Sequence, residues 1–379
     1  MRPATHIETL QPSYIREILS AASADGVISL AGGLPAAELF PCSLLEQAMT
    51  TVATQKNVFQ YGETQGYAPL IAHLQSTYQL DERQSVLVTT GSQQGLDLIA
   101  RAYINPGDGV VMEAPSYLGA LQVFTVAQAR IETVPQTEQG PDLAALAGVF
   151  ATGNIKLFYA VPDFHNPTGV CWSLQTRLKV AELCDKYSVS LIEDAPYREL
   201  RFSGESLPLV SSFCSARAFV LRSFSKTSAP GLRLGVVTGP RDWLIPMVRI
   251  KQAADLHSSL PMQAVLLEIL KHAEFADHLK NVQMHYQQRY HALVNGINKH
   301  IQSAVSFNTV EGGMFIWLEL SKGNPEEIAR KALAEGVAVV PGTAFYPGTN
   351  AASKALRLNF SHCSPEQLVV AIKRLNNII

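Results

Sequence analysis

Short runs rich in β-branched residues alternate with longer helical patterns between residues 85 and 239. This alternation is typical of a mostly parallel sheet that helices cover on both faces. Seven runs have the length and composition of strands: 86–89, 109–112, 131–134, 156–161, 189–192, 218–221 and 233–237. The sequence therefore predicts an α/β fold whose large domain is built on a mostly parallel seven-stranded sheet.

The remaining chain predicts a second, smaller domain. A long helical pattern spans about residues 243–300, and two strand-like runs with a short helix between them follow it. We expect residues 41–275 to form the large cofactor-binding domain, and residues 276–379, joined by the N-terminal segment 1–40, to form a smaller α+β domain. A chain of 379 residues is long enough for two cores.

Composition excludes several classes of function. The formal net charge is −2, and no basic stretch of the kind that binds nucleic acids occurs. No apolar run is long enough to cross a membrane, and the start lacks the apolar core of a secretory signal, so we expect a cytoplasmic protein. The five cysteines are scattered without a Cys-x-x-Cys pair, which indicates reduced thiols and no metal site. Small-molecule chemistry is favoured.

One lysine stands out as a candidate catalyst. Lys226 lies between two apolar, strand-like runs, and desolvation lowers the pKa of a lysine and makes its amine a nucleophile. Ser223 and Lys226 also fit Ser-x-x-Lys, the acyl-enzyme motif of penicillin-binding proteins and β-lactamases. That motif needs its serine at the start of a buried helix, but Pro230-Gly231 soon follows, and Ser-Asp-Asn and Lys-Thr-Gly partners are missing from the sequence. The hydrolase interpretation is therefore the weaker one.

Three further polar motifs follow predicted strands. Gly91-Ser-Gln-Gln-Gly95 opens a helical pattern, where free N–H groups could bind a phosphate or Ser92 could be an ordinary N-cap. Asn166-Pro-Thr-Gly169 could be functional or a simple turn, and Asp194 with Tyr197 ends an apolar strand. Ligands bind beyond the carboxyl ends of parallel strands, so we expect the three motifs to lie near Lys226.

Together these motifs resemble those of the fold-type-I pyridoxal-phosphate aminotransferases of class I/II. The similarity is greatest to the branch that contains 2-aminoadipate and kynurenine aminotransferases. It extends from Ile28-Ser-Leu-Ala-Gly-Gly-Leu-Pro35 to Leu356-Arg-Leu-Asn-Phe-Ser361. The resemblance implies transfer of an amino group from an L-amino acid to a 2-oxo acid such as 2-oxoglutarate or pyruvate.

The resemblance also implies roles for residues around the cofactor ring. Lys226 matches the lysine that holds the cofactor as an aldimine and then moves the substrate proton. Asp194 matches the partner of the pyridinium nitrogen, which keeps the ring an electron sink. Tyr197 and Asn166 match the residues that hydrogen-bond the ring 3-oxygen, and Tyr117 matches the aromatic residue stacked on the ring.

The same resemblance implies where the phosphate and the substrate bind. The residues that match the phosphate site are Ser92, Gln93, Ser223, Ser225 and Arg233. Arg357 matches the arginine that binds the substrate α-carboxylate, and Asn166 and Gly33 belong to the same site. Tyr61 matches a tyrosine that reaches the cofactor phosphate of the neighbouring subunit, which implies a homodimer. Arg16 could bind a second substrate carboxylate or be an ordinary surface arginine.

The sequence departs from the family pattern at the residue before Asn166. His165 stands where relatives more often have an amide, and we interpret it first as a structural histidine. A β-lyase or decarboxylase with the same cofactor is an alternative to a transaminase. The effector domain of a MocR-type regulator is another, but no DNA-binding segment precedes the matched region.

Overall fold

The computed structural model describes residues 1–8, 18, 24, 26–348 and 353–379. Its strands are β1 (Ile28–Ser29), β2 (Gln84–Thr89), β3 (Gly109–Ala114), β4 (Arg130–Thr137), β5 (Gly140–Pro141), β6 (Ile155–Ala160), β7 (Ser190–Asp194), β8 (Ala218–Ser223), β9 (Gly235–Pro240), β10 (Val305–Ser306), β11 (Phe315–Leu320), β12 (Val337–Ala338), β13 (Val340–Pro341) and β14 (Ala355–Asn359). Its α-helices are α1 (Thr5–Glu8), α2 (Cys42–Ala53), α3 (Ala68–Thr77), α4 (Ser92–Tyr103), α5 (Leu118–Val126), α6 (Leu143–Ala151), α7 (Leu174–Tyr187), α8 (Arg241–Asp255), α9 (Leu260–Lys271), α10 (Phe275–His300), α11 (Pro325–Ala334) and α12 (Pro365–Asn376).

The large sheet has the strand order β2-β9-β8-β7-β6-β3-β4-β5. Neighbouring strands from β8 to β4 pair in parallel, whereas β9 is antiparallel to both β2 and β8. The predicted fold class is confirmed, and all seven predicted strands are present. The sheet also has β5, a two-residue edge strand that pairs antiparallel with the end of β4. The sequence pattern missed β5 because a glycine followed by a proline has little strand character.

Both faces of the large sheet are covered, which explains why its strands read as continuous apolar runs. Val110 and Met112 of β3 pack into one core cluster, whereas Val111 between them packs into another with Phe158. Side chains of a strand alternate between the two faces of the sheet. A strand buried on both faces therefore loses the alternation of polar and apolar residues.

The predicted helical region near residues 243–300 is divided into α8, α9 and α10. The chain leaves the helical conformation at Leu256, which has a φ of 63°, and Ser259 precedes α9. The last of the three, α10, is a single helix of 26 residues. None of the described helices is both long enough and apolar enough to span a bilayer.

A second sheet with the order β10-β11-β14-β13 is antiparallel throughout. Beside it, β1 pairs in parallel with β12, so a segment near the N-terminus joins strands from the C-terminal part of the chain. The backbone N–H of Asn359 in β14 also donates to the carbonyl of Leu30 at 2.8 Å. These contacts hold residues 30–34 beside the end of β14.

The direction of the strands determines where the polar motifs lie. The carboxyl ends of β2, β3, β6, β7 and β8 meet at one edge of the large sheet. Because β9 runs in the opposite direction, its amino end reaches the same edge. The segments that follow five strands and the segment that precedes the sixth are therefore brought together.

Candidate active site

A cavity of about 440 Å³ lies at this edge of the large sheet. The predicted site residues that line it are Gly33, Ser92, Gln93, Tyr117, Asn166, Asp194, Tyr197, Ser223, Ser225, Lys226, Arg233 and Arg357. Tyr61 is not among its lining residues; its side chain is 80% exposed and lies edge-on to the ring of His257. Arg16 lies outside the described residues.

Lys226 follows the carboxyl end of β8 and extends into the cavity. Its Nζ donates a hydrogen bond of 2.7 Å to the carbonyl of Gly33. Burial, together with the positive charges of Arg233 and Arg357, lowers the pKa of Lys226 to about 8. A substantial fraction of this amine is therefore neutral near pH 8, as a nucleophile or base must be.

Ser223 is the last residue of β8 rather than the first residue of a helix. Its Oγ accepts a hydrogen bond of 3.4 Å from the backbone N–H of Ser225. The Ser-x-x-Lys hydrolase interpretation is wrong, because that motif places its serine at a helix start.

The start of α4 forms one wall of the cavity. Gly91 is the N-cap residue, with a φ of 78°, and no side chain caps the helix. The interpretation of Ser92 as an ordinary N-cap is therefore wrong. An α-helix leaves its first N–H groups without partners inside the helix, and these groups attract anions. A Cβ on Gly235 would lie 2.6 Å from the backbone nitrogen of Ser92, so only glycine permits this close approach.

Arg233 brings a positive charge to the same wall. It precedes β9, and its Nη1 lies 3.5 Å from Oγ of Ser225. A Cβ on Gly91 would come within 2.8 Å of Nη2 of Arg233, so the guanidinium lies against the uncapped end of α4. The uncapped helix and the arginine together present N–H donors and a positive charge, which are the groups that could bind a phosphate.

Asp194 ends β7 at the opposite side of the cavity floor. Its Oδ2 accepts a hydrogen bond of 2.8 Å from Tyr159, whereas its Oδ1 is buried and has no partner among the described residues. Burial raises the pKa of Asp194 to about 7, and the Tyr159 hydrogen bond opposes this shift. An unpartnered buried carboxylate oxygen fits a cationic N–H donor, such as a protonated pyridine ring.

Asn166, Tyr197 and Arg357 form a connected group. Nδ2 of Asn166 donates to the Tyr197 hydroxyl at 3.2 Å, and Nη1 of Arg357 donates to Oδ1 of Asn166 at 2.9 Å. The Arg357 guanidinium lies 4.6 Å from the ring centre of Phe315, and it also donates to the carbonyl of Ala31. Together these contacts fix the position of the guanidinium.

The guanidinium of Arg357 nevertheless has hydrogen-bonding and ion-pairing capacity that its contacts do not use. Its side chain is buried, and among the described residues Nε has no hydrogen-bond partner and no carboxylate lies within ion-pairing distance of the guanidinium. Burial lowers the pKa of Arg357 to about 10. Since a buried charge is costly unless it is paired, the guanidinium is prepared for an anionic ligand.

Tyr117 lines the cavity at the N-cap position of α5. Its hydroxyl donates to Oε1 of Gln93 at 3.2 Å, and Nε2 of Gln93 donates to the carbonyl of Gly119 at 3.0 Å. Burial raises the pKa of Tyr117 to about 12, so the hydroxyl stays protonated. This bond connects the segment after β3 to the first turn of α4.

Several lining residues escaped the sequence interpretation: Leu118, Gly119, Gln122, Tyr159, Val161 and Pro196. Tyr159 is the most consequential, because it donates the hydrogen bond that Asp194 accepts. Because Tyr159 lies in the apolar strand β6, the sequence pattern indicates a core residue. Only its hydroxyl group could have suggested another role. His165, by contrast, is buried and is not among the residues that line the cavity.

Comparisons with known proteins agree with this geometry. The family model for aminotransferase class I and II matches residues 26–375. The chain is 36% identical over 377 residues to a 2-aminoadipate transaminase of Thermus thermophilus. The match covers 98% of this chain and 94% of the relative.

Solved structures are similar over the same extent. A kynurenine aminotransferase from Pyrococcus horikoshii, solved with PMP, has a TM-score of 0.95 and 32% identity over 99% of this chain and 96% of that one. The alpha-aminoadipate aminotransferase of Thermus thermophilus, complexed with N-(5'-phosphopyridoxyl)-L-leucine, has a TM-score of 0.91 and 35% identity over 99% of this chain and 96% of that one. The predicted fold, family and cofactor are thus confirmed, and the chain belongs to the class I and II aminotransferases, which use pyridoxal phosphate.

Proposed function

We propose that the cavity binds pyridoxal phosphate with its ring nitrogen at Asp194 and its phosphate at the start of α4. The unpartnered Oδ1 of Asp194 is the observation that carries this proposal, because a buried acceptor without a donor fits the ring N–H. Arg233, Ser92, Gln93, Ser223 and Ser225 hold the phosphate. When bound, the cofactor supplies a ring that takes up negative charge from the substrate α-carbon.

Lys226 would hold the cofactor through its Nζ and would then move the proton of the substrate α-carbon. Its lowered pKa keeps part of the Nζ population neutral, which both tasks require. The carbonyl of Gly33 orients Nζ inside the cavity. Asn166 and Tyr197 contact the ring oxygen, and Tyr117 stacks on the ring face.

Arg357 binds the α-carboxylate of an L-amino acid and of the 2-oxo acid that accepts the amino group. Its unpaired, buried guanidinium and its bond to Asn166 support this role. We propose 2-oxoglutarate or pyruvate as the acceptor. Names of relatives point to 2-aminoadipate or kynurenine as donor classes. Arg16, as the partner of a second substrate carboxylate, stays a prediction.

The assembly and the domain limits belong to the same proposal. The protein would act in the cytoplasm as a homodimer in which Tyr61 contacts the cofactor phosphate of the partner subunit. Its 80% exposure on a chain with a buried cavity supports a contact beyond its own subunit. We propose that residues 41–275 form the large domain and that 276–379 with 1–40 form the small one; α10 begins at Phe275.

The proposal can be tested by borohydride reduction and an amino-donor panel. Borohydride should fix the cofactor to the wild-type chain but not to Lys226→Ala, which should also lose transamination. Lys251→Ala is the matched control, because Lys251 is buried but pairs with Asp255 outside the cavity. If Lys226→Ala transaminates normally, the assignment is wrong. If no donor transfers its amino group to 2-oxoglutarate or pyruvate, a β-lyase or decarboxylase becomes the better interpretation.

A further inference from the structure

His165 has no part in the proposed chemistry, yet it immediately precedes Asn166. Its side chain is 1% exposed. Nδ1 lies 3.1 Å from Oγ1 of Thr168, within the same turn. The backbone N–H of Gly169 donates to the carbonyl of His165 at 2.7 Å. The imidazole is thus bound to the turn that carries Asn166.

Glu113, the penultimate residue of β3, lies on the other side of the imidazole. Its Oε1 accepts hydrogen bonds from Gln136 at 2.9 Å and from the Trp172 indole at 3.2 Å. Its Oε2 is buried, has no hydrogen-bond partner among the described residues, and lies 3.9 Å from Nε2 of His165. That separation is longer than a hydrogen bond, so the two groups are close neighbours with no direct bond between them.

Both groups are neutral near pH 7. Burial raises the pKa of Glu113 to about 8 and lowers the pKa of His165 to about 3. Because Oε1 already accepts two hydrogen bonds, the carboxyl proton belongs on Oε2, which faces the imidazole. A proton on Oε2 would point toward Nε2 of His165, while Nδ1 shares a hydrogen bond with the Thr168 hydroxyl.

The turn that contains His165 and Asn166 begins with an uncommon backbone conformation. Phe164 has a φ of 55°, which is unfavourable for a residue with a bulky side chain. Its side chain fills the space beside Gly312 and Gly313: an added Cβ would come within 2.4 Å of the ring at Gly312 and within 2.5 Å of the Phe164 Cβ at Gly313. Packing fixes the start of the turn, and the imidazole of the residue before Asn166 binds the same turn through Thr168.

We propose that Glu113 and His165 are positioning residues, whose carboxyl–imidazole pair holds Asn166 in place for its contacts with Arg357 and Tyr197. The inference rests on the proposed function, in which Arg357 binds the substrate carboxylate. A loosened turn would move Asn166, so that Arg357 loses an acceptor and Tyr197 loses a donor.

The test compares variants of the holoenzyme. Glu113→Leu and His165→Leu should raise KM for both the amino acid and the 2-oxo acid about tenfold, with a smaller change in kcat. They should also shift the pH midpoint of the visible absorbance of the bound cofactor. Glu113→Gln should stay close to wild type, because its amide can accept from Trp172 and donate to Nε2. Thr168→Val removes the partner of Nδ1 and should also raise KM. This variant tests the inference if the leucine variants fold poorly.

Trp172→Phe is the matched control. It removes a donor to the same carboxyl, but on the Oε1 side, so it should lower Tm and leave KM and the absorbance midpoint unchanged. If the pair only stabilises the fold, the leucine and Thr168→Val variants will resemble Trp172→Phe, with a lower Tm and an unchanged KM and absorbance midpoint. That result would overturn the inference. Glu113→Gln with the KM of Glu113→Leu would overturn it too. A wild-type chain that does not transaminate would instead overturn the proposed function.

Discussion

Oδ1 of Asn166 accepts a hydrogen bond of 2.9 Å from Nη1 of Arg357, a residue 191 positions later in the chain. The same amide donates to the Tyr197 hydroxyl at 3.2 Å. One side chain therefore connects the arginine proposed to bind substrate with the tyrosine proposed to contact the ring. The proposed function therefore predicts that binding of a carboxylate at Arg357 and hydrogen bonding of the ring oxygen are coupled through Asn166.

Arg357→Ala should weaken the binding of amino acids and 2-oxo acids while the cofactor stays bound. Loss of hydrogen bonds to a charged group costs about 1.5–3 kcal/mol, so KM should rise roughly ten- to hundredfold. Arg357→Lys should recover only part of the affinity, because an ammonium lacks the planar fork of a guanidinium. Steady-state kinetics and the cofactor content measure the two effects. Loss of cofactor with unchanged KM would refute the assigned role.

Arg233→Leu should weaken the binding of pyridoxal phosphate to the cofactor-free chain by about ten- to hundredfold, since a charged hydrogen-bond donor is lost. Its affinity for pyridoxal, which lacks the phosphate, should change little. Arg241→Leu is the control, because Arg241 follows the other end of β9 and donates to Glu82. Fluorescence titration with both compounds measures the difference. Equal weakening for both compounds would place Arg233 at the ring rather than at the phosphate.

Asp194→Ala should reduce kcat by at least tenfold, because the ring nitrogen would lose its anionic partner. Tyr159→Phe removes only the bond to Oδ2 and leaves Oδ1 free for the ring, so its effect should be smaller. Single-turnover kinetics with each variant measure the difference. If Tyr159→Phe is as damaging as Asp194→Ala, Oδ1 is not the oxygen that binds the ring.

The lowered pKa of Lys226 should appear in the pH dependence of stability. The native group titrates at about 8 and its ordinary value is 10.5, so between these values the unfolded chain binds more protons. The contribution of Lys226 to stability therefore rises with pH across this window, and burial of its charge is most costly below it. In the cofactor-free chain, Lys226→Met should be more stable than wild type at about pH 7, with a smaller advantage at about pH 10. Urea unfolding measures both, and an advantage that does not change with pH would contradict the shift.

Tyr61 can be tested by mixing two inactive variants, Tyr61→Ala and Lys226→Ala. In a hybrid dimer, one site would combine a native Lys226 with a native Tyr61 from the partner subunit. Random pairing makes about half of the dimers hybrid, so about a quarter of wild-type activity should return on co-expression. Activity no greater than that of the separate variants would show that Tyr61 does not act across an interface.

The polar motifs could be predicted as site residues from the sequence, because each follows or precedes a strand of a recognisable α/β pattern. Asp194 and Lys226 are close to strand ends in the sequence, and the common direction of β7 and β8 brings them to one edge. Tyr159 could not be found this way, because a tyrosine in an apolar strand looks like any core residue. The N-cap at Gly91 was also missed, since a serine in the next position is the more usual cap.

The sequence by itself determined the α/β class, the order of the motifs and the choice of a lysine between two apolar strands. Only the tertiary structure decided that Oδ1 of Asp194 lacks a partner within the described part of the chain, that Glu113 faces His165, and that Arg357 reaches Asn166. The physical reason is that strand and helix patterns depend on neighbours along the chain. Burial, which sets the pKa values of Lys226 and Asp194, depends on segments that are distant in sequence and meet only when the chain folds.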